Sequence, residues 1–232
     1  MDLLIQKDLL GITLGSKKKL VIIGAGGLGQ VISQAAIHHG EYQVIGFCDD
    51  KYNKMNLEHD IFCAPLSFIK ELVHLEQVYY FIAIGNGEIR QDISKRLGLI
   101  ACRYATIIHP TAFVDNNVVL GAGVAVLPHA TIHSAAQIRN HVIINSASII
   151  EHKNSLEDFV SISPNTTLCG AVTVERGAFV GAGTTVVQGV TIGEGTTIGA
   201  GSLVLKDIPS NCIAYGSPAK VMRYTRERTA VR

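Results

Sequence analysis

Three groups of residues in this chain have the types and spacing to do chemistry. The first is Gly24-x-Gly26-x-x-Gly29, which follows the apolar run Lys19–Ile23 and opens a helical pattern. Glycines there let a backbone approach a phosphate, and free N–H groups at a helix start bind it. Asp49, 20 residues after Gly29, stands where an acidic group accepts ribose hydroxyls. The second group, Gly85-Asn86-Gly87, ends a third apolar run and so belongs to the same carboxyl edge of a parallel sheet, where ligands of open sheets bind. The third surrounds His152. Of the four histidines between residues 129 and 152 (129, 133, 141 and 152), it alone is flanked by Glu151, Lys153 and Asn154, in a stretch otherwise poor in charge. An imidazole with an ordinary pKa near 6.5 can accept a proton at neutral pH, which makes His152 a candidate general base. No metal is expected. Zinc shared between subunits needs histidines that converge on one point, and the successive spacings here of 4, 8 and 11 share no common period. Cys169 has no adjacent histidine to activate it, so an acyl-cysteine is not expected either.

The elements that position these groups follow two grammars. Residues 1–104 carry 22 charged side chains, 105–204 carry 9 and 205–232 carry 8. In the first stretch, apolar runs at Lys19–Ile23, Tyr42–Cys48 and Tyr79–Ile84 alternate with helical patterns near Gln30–His38, Leu66–His74 and Glu88–Leu97, and a short strand is expected near Ile100–Tyr104. This is βαβ alternation and predicts a parallel sheet. Only about 85 residues separate Lys17 from the repeat that follows, room for one mononucleotide-sized half. A nucleotide carrying a sugar therefore fits better than a dinucleotide.

In the second stretch every sixth residue from Ile108 to Val204 is Ile, Leu or Val, seventeen in succession. Chance would produce that register with a probability of roughly 10⁻⁹. Four positions after each aliphatic the residue is small or Val, with Asn154 the exception. A period of six suits short strands joined by tight corners, three strands to a triangular coil and coils stacked at about 4.8 Å. The domains expected are an extension over 1–16 (a short helix), a βαβ domain over 17–104, and a β-helix with tail over 105–232.

Composition narrows the class. With 20 Lys+Arg against 19 Asp+Glu there is no net field for nucleic acid or an anionic membrane, and 47% hydrophobic residues exclude a disordered chain. Apolar stretches are interrupted before 18 residues accumulate, so no membrane partner is expected. Met1-Asp2-Leu3-Leu4 lacks a basic region before an apolar run, so no signal peptide is expected. Five cysteines without a CxxC pair point to reduced thiols in a cytoplasmic protein.

Gly24–Gly29 with Asp49-Asp50, Ile84-Gly85-Asn86 with Glu88-Ile89-Arg90, Ile149-Ile150-Glu151-His152 and Gly216-Ser217-Pro218-Ala219-Lys220 together resemble the bacterial nucleotide-sugar acetyltransferases, over roughly residues 18–223. Those families include UDP-4-amino-sugar N-acetyltransferases and enzymes labelled sialic acid O-acetyltransferase. The resemblance implies a left-handed parallel β-helix after a Rossmann-like half domain, a homotrimer, and acetyl-CoA bound between neighbouring helices. It implies acetyl transfer to the amine of a nucleotide-linked sugar, with His152 as general base. It assigns nucleotide-sugar contacts to Gly26, Gly27, Leu28, Asp49, Asp50, Gly85 and Asn86, and the acetyl-CoA groove to Ser161, Gly170, Gly181, Ala182 and Ala200. Three positions depart from the family pattern. Leu28 and Ser161 stand where the family often has His, and Lys153 stands where an acidic residue often follows the base. Glu151, Glu157 or Asp158 could supply the missing carboxylate. Sugar O-acetylation and a non-catalytic trimeric scaffold that binds sugar nucleotides are the competing readings.

Overall fold

The computed structural model describes residues 17–225, so the helix expected within residues 1–16 lies outside it. Strand β1 (Lys18–Ile23) is buried from its second residue onward. It pairs in parallel with β2 (Tyr42–Cys48) on one side and β5 (Val78–Ile82) on the other. Helix α1 (Gly27–His39) crosses between β1 and β2. A hairpin not anticipated from the sequence, β3 (Asn56–Glu58) and β4 (Ile61–Ala64), extends the sheet to the order β3-β4-β2-β1-β5. The helix expected over Leu66–His74 is a 3-10 turn at Leu66–Phe68 running into the single turn α2 (Ile69–Leu72). Helix α3 (Gly87–Leu97) follows β5, capped by the Asn86 side chain, which accepts from the Ile89 N–H at 3.0 Å.

The strand expected at Ile100–Tyr104 is a 3-10 turn over Ala101–Arg103, with only Tyr104 bridged to Tyr80. The cause is Arg103. Its guanidinium donates to the carbonyls of Val73, Leu75 and Val78 and ties the segment across the sheet end instead of along it.

Beyond Tyr104 each predicted rung becomes the second residue of a two-residue strand, from β6 (Ile107–Ile108) to β22 (Leu203–Val204). Strands 18 residues apart pair in parallel, as Ile132 does with Ile150 and Ile150 with Leu168. Three sheets result, forming a three-sided left-handed β-helix. Its interior is the rung column, in which Ile150 and its neighbours Ile132 and Leu168 are fully buried. From residue 123 to 201 every sixth residue has φ between 56° and 73°, the positive φ that the third position of a tight corner requires. Gly holds that position at 123 and from 177 to 201, but His129, Ala135, His141, Ala147, Lys153, Phe159, Asn165 and Ala171 hold it in the middle coils. The chain then closes with the hairpin β23 (Cys212–Gly216) and β24 (Ala219–Tyr224), added to the eight-stranded sheet.

The first domain rests on the outer face of that eight-stranded sheet. Leu20, Ile22, Ile32 and Phe81 share one apolar cluster with Ala125, Leu127 and Ile143, which project outward from the β-helix.

Candidate active site

The turn after β1 is held by its own carboxylate. Asp49 Oδ2 accepts from the Ala25 N–H at 2.8 Å and Oδ1 from the Lys51 N–H at 3.0 Å, while Lys51 Nζ donates to the Ala25 carbonyl at 2.9 Å. Burial alone would raise the Asp49 carboxyl, but the two N–H donors and the Lys51 charge hold it below the usual range. Asp49 thus organises the glycine turn. Gly24 needs its φ of 104°, and a Cβ on Gly29 would lie 2.1 Å from the Gly24 carbonyl oxygen. Gly26 and Gly27 are exposed, with nothing within 4 Å of an added Cβ, so open space lies over the start of α1. Leu28 leans into the apolar cluster behind the turn. Asp50 is exposed and borders a cavity of about 530 Å³ lined also by Leu66, Lys70, Val73 and Arg96. Gly85 and Asn86 are exposed on the same edge, with the Asn86 oxygen engaged in its cap.

Arg90, one turn into α3, ties this edge to the β-helix. It is 1% exposed, and among the described residues it donates to five carbonyls and one hydroxyl. Ile84 and Gly85 supply acceptors from the nucleotide edge; His141, Phe159, Val160 and the Ser161 hydroxyl supply them from the β-helix. Ser161 Oγ in turn donates to the Gly85 carbonyl at 2.8 Å. Desolvation pulls the guanidinium down to about 9, so it stays charged at neutral pH. Its charge is met by carbonyl dipoles. Ser161, 4% exposed, is therefore part of the domain junction, not of an open groove. Arg90 belongs to the Ile84–Arg90 motif, but no role was expected of it there. Its signal was its place on the buried face of α3 with Gly87 and Ile93.

His141 packs beside this junction. Its ring stacks on Phe159 at 4.9 Å and meets Tyr104 edge-on at 4.5 Å. Burial, then the Arg90 charge, pushes the imidazole down to about 4, against a smaller opposing pull from Asp158. The unfolded chain takes up this proton near pH 6.5 and the folded chain only near 4, so stability is full above 6.5 and is lost as pH falls toward 4. The loss amounts to about 3 kcal/mol. Urea titrations between pH 7 and 4 are expected to show it, and His141→Phe is expected to flatten the dependence. An equally steep dependence in the variant would assign the loss to other groups.

His152 lies on the corner between β13 (Ile149–Ile150) and β14 (Ser155–Leu156). It is exposed, and its ring lies over Gly170 of the next coil, where an added Cβ would sit 2.6 Å from Cε1. Only glycine leaves the ring that platform. The Gly170 N–H makes no hydrogen bond among the described residues. None of the three candidate carboxylates reaches the ring. Glu151 faces His133 at 3.8 Å, Glu157 accepts from the Arg176 N–H, and Asp158 accepts from Asn140 and faces Arg176.

Topology then sets the two ends apart. The 151–154 corner joins the six-stranded to the five-stranded sheet, so it is the edge opposite the face that carries the first domain. With sides about six residues long, the prism puts on the order of 15 Å between that edge and that face. Gly181, Ala182 and Ala200 lie on another edge, between the eight-stranded and six-stranded sheets. Ala182 and Ala200 are exposed and stacked on consecutive coils, and a Cβ on Gly181 would lie 2.6 Å from the Ala200 nitrogen. Between that edge and the His152 edge runs the six-stranded sheet, whose outward residues Phe113, Thr131, Ile149, Thr167, Thr185 and Leu203 carry no charge.

Comparison with known proteins matches both parts of the chain. Residues 19–97 fit the family model of the PglD N-terminal domain, and residues 171–206 fit the bacterial transferase hexapeptide model of six repeats. The UDP-N-acetylbacillosamine N-acetyltransferase of Bacillus subtilis is 36% identical over 111 residues, 47% of this chain and 51% of its own. The chain spans about half the length of the curated relatives it matches first. Among solved structures, the acetyltransferase domain of PglB from Neisseria gonorrhoeae in complex with acetyl coenzyme A is 31% identical, with a TM-score of 0.81 over 89% of this chain and 100% of that one. PerB from Caulobacter crescentus in complex with CoA and GDP-perosamine is 30% identical, with a TM-score of 0.77 over 88% of this chain and 97% of that one.

Proposed function

Because the chain belongs to the bacterial nucleotide-sugar acetyltransferases of the hexapeptide-repeat superfamily, we propose that it transfers acetyl from acetyl-CoA to the 4-amino group of a nucleotide-linked amino sugar. The nucleotide occupies the open space over Gly26 and Gly27, beside Asp50 and Gly85. The amine attacks the thioester carbonyl, a C–N bond forms and the C–S bond breaks. His152 takes the proton the amine gives up and returns it to the departing thiolate. The free Gly170 N–H, under the same ring, is the donor to the developing oxyanion. Small side chains at Gly181, Ala182 and Ala200 leave backbone accessible to the pantetheine arm.

The observation that carries this reading is the uncommitted His152 imidazole over Gly170. Because it faces away from the chain's own nucleotide edge, a neighbouring copy must complete the site. The uncharged six-stranded face lies between the two edges concerned, which supports a homotrimer packed along it. The reaction is assigned to the cytoplasm, in keeping with five cysteines that form no disulfide. A screen of UDP-, GDP- and CMP-linked sugars by thermal shift, with and without acetyl-CoA, followed by turnover assays, tests the proposal. Stabilisation by acetyl-CoA and CoA release with a 4-amino sugar are expected. Nucleotide-sugar binding without any acetyl-CoA effect would leave a scaffold, and acetylation confined to hydroxyl acceptors would make it an O-acetyltransferase.

A further inference from the structure

Asn154 breaks the pattern of the β-helix interior. On the His152 edge the inward position four residues after each rung is filled by Val118, Ala136, Asn154, Val172 and Val190. Asn154 is as buried as the core around it, 1% exposed. Its Nδ2 donates to the Glu151 carbonyl at 2.5 Å and to the Cys169 carbonyl at 3.0 Å. The first acceptor is the one that at other corners receives a backbone N–H three residues on, as His109 receives from Ala112 and Leu127 from Ala130. Here the side chain closes the turn. The second acceptor lies one coil further along. These two carbonyls belong to the peptide units that lead into His152 and into Gly170. One amide nitrogen thus ties the backbone of the imidazole to the backbone of its platform.

This arrangement is not the one that packing alone would select. Asn154 Oδ1 is buried and finds no hydrogen-bond partner among the described residues. An unpaired buried acceptor is destabilising, and valine fills the same place two coils before and one coil after. Strain of this kind is tolerated where the surrounding geometry needs the group.

We infer that Asn154 is a positioning residue, its amide clamping the 151–152 and 169–170 peptides so that the His152 ring stays on Gly170 in the orientation proton transfer requires. The inference rests on the base role proposed for His152. Two variants test it, Asn154→Val and Asn154→Ala, the latter copying Ala136. Each is compared in the whole chain with the wild type and with His152→Ala. Acetyl transfer is measured from acetyl-CoA to GDP-perosamine and to a UDP-linked 4-amino-4,6-dideoxy sugar.

Both Asn154 variants are expected to melt within a few degrees of the wild type, because relief of the unpaired Oδ1 offsets the donor lost by the Glu151 and Cys169 carbonyls. KM for both substrates is expected to stay within about twofold and kcat to fall about 10–100-fold. The His152 Cε1–H resonance, assigned by its loss in His152→Ala, is expected to shift or broaden in both. Wild-type kcat, an unmoved resonance, or a melting temperature lowered by many degrees in both variants would overturn the inference. Failure of the base assignment is separate: it is signalled by undiminished turnover in His152→Ala. The resonance decides the clamp even if neither acceptor is turned over.

Discussion

Replacing His152 by alanine lowers kcat by about 10²–10⁴, with KM for acetyl-CoA and for the nucleotide sugar nearly unchanged. The size follows from what general-base catalysis contributes when an imidazole is held within reach of the proton it takes. The ring is exposed and makes no hydrogen bond among the described residues, so its removal costs no packing. Its loss therefore appears in kcat and not in stability. Thermal melts of the variant are expected to overlay the wild type, which separates chemistry from folding. Undiminished turnover in the variant would move the base elsewhere.

Replacing Arg90 by methionine gives the second large effect, and it is structural first. Five carbonyls lose a charged donor at a buried junction between the two domains, and Ser161 loses a partner. Each buried acceptor left without a partner costs about 1–3 kcal/mol. Relaxation and water entry recover part, leaving a loss of at least about 3 kcal/mol. For a chain of this size that lowers the melting temperature by roughly 6–12 °C. Lysine does not rescue, since one ammonium cannot reach acceptors spread around a planar fork. Nucleotide-sugar affinity is expected to fall as well, because Gly85 on the nucleotide edge is held by both Arg90 and Ser161. A methionine variant that melts and binds like the wild type would show that the first domain is held by its apolar contacts alone.

The parts of the molecule differ in how far local pattern reaches. All seventeen rungs expected between Ile108 and Val204 are strand residues, because a repeat needs only its own neighbours 18 residues away to form. The glycine turn, β2 and α3 were equally legible from short-range signals. The strand expected at Ile100–Tyr104 was not formed, since Arg103 found acceptors on Val73, Leu75 and Val78, a choice that only the folded sheet offers. The β3–β4 hairpin was missed because its first strand, Asn-Leu-Glu, has no apolar alternation to announce it. The family resemblance assigned Ser161 to the acetyl-CoA groove, yet its hydroxyl is buried against Gly85 and Arg90. Asp49, expected to receive a ribose, also fastens the turn that would hold the phosphates.

What the order of residues determined by itself is the architecture: a six-residue period that has one solution as stacked coils, and a glycine turn set at the carboxyl edge of a parallel sheet. Both are local rules repeated or placed once, so they survive without knowledge of the rest. Tertiary structure alone decided the relations between parts. It buried a guanidinium among carbonyls from two domains and laid an imidazole on a glycine one coil away. It also turned that imidazole from the nucleotide edge, because which edge of a prism a corner occupies depends on the face chosen by the neighbouring domain.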